Sequence, residues 1–291
     1  MKWGKKIGIG LLSGLMILAS GGCVVQDAAL AAAETVREER TEDLRIVATS
    51  PAGVDIMARL DVELVGVPDS TLSVLPARYD EVVRVGTAMG PDVEVIKTLN
   101  PDYVIGPASL QTDMEPRLKA AGLTGIFLNL ESVEGLYKSV EELGVLLGRQ
   151  SKVQAVVDEF AAFYYEYSKM SAGQESPAVL VLMGLPGSYV VATGSSYVGS
   201  LVRLAGGINV YEDEEKNFIT ANTEDMQKRD PDIILRAAHA MPEDVVKMFH
   251  DEFATNDIWK HFRAVETDCV YDLPYEQFGM SAKFNFPAAE L

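Results

Sequence analysis

The chain holds three histidines, and one of them stands where a side chain can be handed to a ligand. In LRAAHAMPEDVVKMF, Leu235 to Phe249, an apolar run stops at His239 and a proline-started acidic helix begins three residues later. That pattern reads as a strand-to-helix loop, the place where α/β proteins bring side chains to ligands. His239 would offer a nitrogen donor, neutral near pH 7; a solvated loop histidine is the plainer alternative. Met89, in TAMGPDVEVI, reads as an apolar thioether in a loop just before a helix starting with Gly90 and Pro91. Loops are usually polar, so a methionine there is out of place. One imidazole and one thioether from opposite sides form a known axial pair for heme iron. Two alternatives stay open: Met89 as a gap-filler, and Met241 as the thioether beside the histidine.

Other chemistry finds little support. The sequence has no Gly-x-Ser-x-Gly elbow, P-loop, His-Glu-x-x-His or Cys-x-x-Cys. GLPGSYVVATGSSYVG (Gly184 to Gly199) is rich in Gly and Ser but matches no phosphate-binding spacing. It reads equally as turns around a strand or as a ligand-facing loop. His250 and His261 fall within helical patterns and read as structural or solvated. The 43 acids scatter over helix faces and no histidine–carboxylate cluster stands out, so they read as solvated surface.

The elements that must position these residues alternate. Short strands are expected at LRIVATS, VELVGV, VVRVG, DYVIG and GIFLNL, with helical spacing between several of them. A second set follows at AVLVLMG, SYVVAT, DIILRAA and CVYDL. Two α/β lobes account for both sets, over 44–150 and 174–291. Between them Val153, Val156, Val157, Phe160, Tyr164 and Tyr167 recur at helical spacing after a Ser151/Gln154 capping box. Gly173 and Pro177 close the pattern, predicting one connecting helix of about twenty residues over 151–173. An internal echo, AMGPDVEVIKTLNPDYVIG against ANTEDMQKRDPDIILRAA, suggests two related lobes facing each other across a cleft.

Bulk properties narrow the partners. The formal net charge is −18, and the first 22 residues hold three lysines and no acids, so the remainder sits at −21. Such a surface repels phosphate backbones and anionic lipid, which argues against nucleic acid and against electrostatic membrane adhesion. The N-terminus has the basic start, apolar stretch and small residues of a secretory signal over 1–22. Small residues directly before Cys23 resemble a lipoprotein cleavage site, making Cys23 the expected lipidated N-terminus. Ser20 stands where that pattern prefers a leucine-like residue, and ordinary cleavage near Ala29-Leu30-Ala31 is the rival. Residues 26–43 are polar and Ala/Glu-rich, suiting a flexible tether over 23–43. Cys269, in CVYDL, then has no disulfide partner and reads as a small buried hydrophobe.

From Leu44 onward the sequence resembles the bilobed substrate-binding lipoproteins of bacterial ABC importers for siderophores, cobalamin and heme. Within that cluster it is most similar to the heme receptors of the iron-regulated surface determinant system of Gram-positive bacteria. The residues that carry the likeness are MGLPGSYVVAT, AGGINV, RDPDIILRAAHAMPEDVVKMF and NDIWKHFRAVETDCVYDL. The resemblance implies two Rossmann-like lobes joined by a single long helix, the helical-backbone, class III binding-protein architecture. It implies heme b (iron protoporphyrin IX) as transported ligand, held through Met89 and His239, with helix N-termini near the cleft favouring its carboxylates. It further implies a monomer anchored on the extracellular face of the cell membrane, an ABC permease and ATPase as partners, cell-surface heme-relay proteins as donors, and no enzymatic activity. The chain stops at FPAAEL, where a further C-terminal helix is expected. The competing readings are a ferric-siderophore or corrinoid receptor of the same fold, a surface enzyme acting on tetrapyrroles or esters, and a purely adhesive lipoprotein.

Overall fold

The structure is a computed structural model, and it describes residues 44–279 apart from Leu72 and Glu276. The signal, the tether, Cys23 and the final residues of the chain lie outside the described residues. The first half runs Ile46–Ala48 (β1), Pro51–Arg59 (α1), Gly66–Asp69 (β2), Val83–Thr87 (β3), Gly90–Pro91 (β4), Val93–Thr98 (α2), Tyr103–Pro107 (β5), Gln111–Ala120 (α3), Gly125–Leu128 (β6) and Val133–Leu146 (α4). The helix Gln150–Ser171 (α5) follows. The second half runs Ala178–Leu185 (β7), Ser188–Ala192 (β8), Tyr197–Leu204 (α6), Ile208–Asn209 (β9), Phe218–Thr220 (β10), Thr223–Lys228 (α7), Ile233–Ala238 (β11), Pro242–Thr255 (α8), Arg263–Glu266 (α9) and Val270–Asp272 (β12).

Each half is built on one sheet. The first has the order β4-β3-β2-β1-β5-β6, and the second β10-β8-β7-β11-β12 with β9 beside β7. Strands β3, β2, β1, β5 and β6 run parallel, as do β7, β11 and β12. Parallel central strands are covered on both faces, which is why β1 and β7 are almost continuously apolar and buried. Parallel pairing also gathers the C-terminal ends of the strands on one edge of each sheet, where α/β proteins hold ligands. Thr49, Thr87 and Pro107 mark that edge in the first sheet, Leu185 and Ala238 in the second.

The connecting helix is fixed at both ends. Near its start Lys152 lies 3.4 Å from Asp61, and Glu159 pairs with Arg59 of α1 at 2.9 Å. Toward its end the Tyr167 hydroxyl donates to the carbonyl of Ala205, at the close of α6, at 2.8 Å. The halves also meet directly: the Val133 amide donates to Ser200 Oγ at 3.1 Å, and Arg203 pairs with Glu134 at 2.9 Å. One apolar core, containing Ile46, Leu136, Val153, Val181 and Val202, crosses from one sheet to the other.

The predicted helix is present, but its capping box is not. The helix starts at Gln150, its N-cap is Arg149, and Gln154 bonds forward to Asp158. The Arg149 amide is already satisfied by the Gly144 carbonyl at 2.8 Å, through a turn in which Gly148 takes φ +64°, so Ser151 falls inside the first turn. Strand β2 starts at Gly66, later than VELVGV suggests, because Val62 and Leu64 are buried in the turn that leads out of α1. Three strands went unpredicted, β4, β9 and β10; each has two or three residues, too few to show an alternation.

Candidate functional site

On the first sheet, β3 folds back into β4 through a two-residue turn, Ala88-Met89, with Thr87 paired to Gly90. The Gly90 amide donates to Thr87 Oγ1 at 3.2 Å and the Asp92 amide to the Val85 carbonyl at 2.8 Å. Gly86 makes the turn feasible: it takes φ +88°, and a Cβ there would lie 2.8 Å from the Gly90 carbonyl oxygen. Met89 stands at the tip of this braced hairpin, 79% exposed. The placement corrects the expectation of a helix starting at Gly90. Gly90 and Pro91 are an edge strand, where the missing amide of proline costs no ladder bond. The helix begins at Val93 and is capped by Asp92, which accepts from the Glu94 and Val95 amides.

On the second sheet, β11 pairs with β7 through to Ala238 opposite Gly184. His239 extends that ladder, its amide donating to the Gly184 carbonyl at 2.9 Å. The imidazole is half-buried, and burial holds its pKa below the ordinary histidine value, so the ring is neutral at pH 7. Met241, two residues on, is the N-cap of α8, with φ +47° and no side-chain cap. It is 52% exposed, and Pro242 follows at the first helical position.

Met89 and His239 thus stand in equivalent places, each on the turn that leaves the C-terminal end of a parallel strand. A thioether and a neutral imidazole suit a soft-to-borderline metal centre such as heme iron. Carboxylates do not supply an alternative, since among the described residues no group of three or more His, Cys, Asp or Glu is placed to hold a metal ion.

The remaining candidates fall into structural roles. His250 Nε2 lies 3.1 Å from Asp272 Oδ2 on an exposed face of α8. His261 is exposed, and its carbonyl accepts from Gln227 Nε2. Cys269 is half-buried rather than buried, because it precedes β12 instead of sitting inside it. The Gly/Ser-rich stretch forms the β7–β8 turn, with Gly187 at φ +79°, and then the start of α6, where Ser196 accepts from the Gly199 amide.

One feature went unnoticed in the sequence. Arg236, only 7% exposed, sits in the middle of β11 and makes two bonds to Asp272, at 2.8 and 2.7 Å. Its guanidinium also lies over the Phe253 ring, 4.8 Å from the centroid. The signal was available: one arginine in an apolar strand requires an acid on the neighbouring strand, and VYD supplies it.

Residues 46–276 match the family model described as periplasmic binding protein. The chain belongs to the periplasmic binding protein family. Among its relatives is the high-affinity heme uptake system protein IsdE of Staphylococcus aureus (strain Newman), 41% identical over 247 residues, which cover 84% of each chain. Among solved structures, this binding protein is similar to S. aureus IsdE complexed with heme, with 40% identity and a TM-score of 0.80 over 85% of this chain and 96% of that one. It is equally similar to an ABC transporter substrate-binding protein from Listeria monocytogenes EGD-e, with 43% identity and a TM-score of 0.80 over 84% and 95% of the two chains. The two-lobed, helix-joined fold of the family is the one expected from the sequence. These relatives are a heme uptake system protein and a transporter substrate-binding protein.

Proposed function

We propose that this protein is the heme receptor of an ABC importer, taking up heme between its lobes and delivering it to a membrane permease. Supporting this reading most directly is the pairing of a thioether and an uncharged imidazole at equivalent edges of the two sheets. Met89 would take one face of the iron and His239 the other. The similarity to a receptor crystallised with heme supports the same cargo.

The chain's own residues fit the task in distinguishable ways. The hairpin carrying Met89 is braced by its Gly90 and Asp92 hydrogen bonds, so the sulfur is held out from a rigid turn. His239 is fixed by its backbone bond to β7 and kept neutral by burial, so its nitrogen lone pair is free for a metal. Helix α1 begins at the ligand-bearing edge of the first sheet and has no acid in its first turn, which favours a carboxylate of the cargo. The shared core and the doubly fixed connecting helix leave room for modest lobe movement rather than wide opening. Attachment through lipidated Cys23, with 23–43 as tether, would keep the receptor beside its permease and within reach of cell-surface heme donors.

The test is a hemin titration of the domain from Leu44, followed by visible spectra of the wild type, Met89→Leu and His239→Ala. The expected wild-type result is saturable one-to-one binding with a six-coordinate, low-spin spectrum, altered by either substitution. Binding whose spectrum neither substitution changes would overturn the ligand assignment, and no binding of hemin would overturn the cargo.

A further inference from the structure

The corner that carries His239 holds a second donor, and its backbone is unusual. Five described residues other than glycine have positive φ: Asp61, Asn100, Asp230, Asp268 and Met241. Four are aspartate or asparagine, whose short polar side chains make the left-handed region tolerable through local hydrogen bonds. Met241 has no such compensation. It takes φ +47° and ψ +60°, its side chain caps nothing, and it is 52% exposed. An asparagine here would relieve the backbone, and a glycine would remove the penalty entirely. Strain kept at one residue, beside a ligand-binding corner, points to a use for its side chain.

The geometry limits what that use can be. His239 and Met241 are two residues apart, so their Cα atoms are at most about 7 Å apart. Both leave the same strand-to-helix turn of the second sheet, whereas Met89 stands on the first, which places Met241 on the His239 side of a cargo held between the two. Met241 therefore cannot replace Met89; it competes for the position His239 occupies. Resting on the heme reading above, we propose that Met241 is a reserve axial ligand. When His239 leaves the iron, the Fe–Nε2 bond breaks and an Fe–Sδ bond to Met241 forms, with no net change in electrons or protons. Coordination passes from Met89/His239 to Met89/Met241, and the cargo stays six-coordinate through the exchange. A thioether is the weaker partner for ferric iron, so the exchange gives a held but loosened state suited to handing heme onward.

The experiment compares His239→Ala with His239→Ala/Met241→Leu, each loaded with hemin, by visible and resonance Raman spectra in both oxidation states. The expected result is a six-coordinate, low-spin ferrous spectrum in the single variant and a five-coordinate one in the double variant. Identical spectra in the two variants would overturn the reserve role. A wild-type spectrum that neither Met89→Leu nor His239→Ala alters would instead sink the parent reading, and this inference with it. Met241→Gly supplies the folding control: it removes the backbone strain, so His239→Ala/Met241→Gly should melt no lower than His239→Ala while also losing the sixth ligand. Retention of that ligand in the glycine double variant would equally overturn the proposal.

Discussion

The His239 amide donates to the Gly184 carbonyl at 2.9 Å, one residue beyond the last paired residues of β11 and β7. This bond makes the candidate iron ligand an extension of the central sheet rather than part of a free loop. Gly184 matters on its other side too. A Cβ there would lie 2.2 Å from Val245 Cγ1 and 2.7 Å from Phe249 Cε2, both on α8 and both buried. Gly184→Ala must therefore push α8 outward, and α8 begins three residues after His239. We expect a loss of about 1–3 kcal/mol in urea unfolding, the range for overpacked cores, and an altered hemin spectrum in the folded protein. An unfolding midpoint equal to wild type would refute the contact argument.

Acid should loosen the cargo. Burial disfavours the charged imidazole, so the His239 pKa in the folded protein lies below its ordinary value of 6.5. As pH falls, the unfolded chain takes up its proton first. The stability due to this group is therefore complete above about pH 6.5 and is lost below it. If His239 holds the iron as proposed, iron and proton compete for the same nitrogen. Hemin affinity should be flat from pH 8 to 7, fall below the depressed pKa and level off once Met241 has taken the place of His239. Titrations at several pH values would check this, and affinity that holds steady down to pH 4.5 would contradict it. His239→Ala should flatten the dependence.

How far this candidate site was legible in the sequence depends on how local each signal is. The apolar run ending in His239 was legible because β11 is fully paired and reads as one block of IILRAA. Met89 was legible as a misplaced apolar residue, but its setting was misread. Pro91 suggested a helix start, whereas the register is set by Gly86 and by the Thr87–Gly90 pair, which a propensity argument cannot weigh. The capping box failed because the local turn that ends α4, closed by the Gly144–Arg149 bond, had already satisfied the Arg149 amide. The lone arginine of IILRAA signals a buried ion pair, but its partner is fixed only by β12 lying beside β11 with Asp272 opposite Arg236.

The Gly/Ser-rich stretch illustrates a choice that only packing could make. A Cβ on Gly199 would lie 1.9 Å from the Thr193 carbonyl oxygen, a backbone atom fixed by the β8 end and the Ser196 cap. The glycine is there for close approach and not for a ligand. Gly199→Ala should destabilise by about 2–3 kcal/mol or prevent folding, as other overpacking substitutions do. Any soluble fraction should bind hemin with wild-type stoichiometry. A stable variant that has lost hemin binding would reverse the assignment and make this loop part of the site.

The Arg236–Asp272 pair should be asymmetric under mutation. The guanidinium is 7% exposed and the carboxylate 28% exposed, so the cation depends more on its partner than the anion does. Asp272→Asn leaves a buried positive charge with one neutral acceptor, and breaking a buried pair in this way costs about 3 kcal/mol. Arg236→Met removes the buried charge, keeps the apolar stem against Phe253, and leaves Asp272 with His250 3.1 Å away. It should cost clearly less, about 1 kcal/mol, because matched apolar replacement of a buried ion is often near neutral. Urea unfolding of both variants measures the difference, and equal losses would mean that the pair is hydrated in solution. Because Arg236 lies on β11 three residues before His239, the Asp272→Asn variant should also weaken hemin binding, whereas Arg236→Met should largely preserve it.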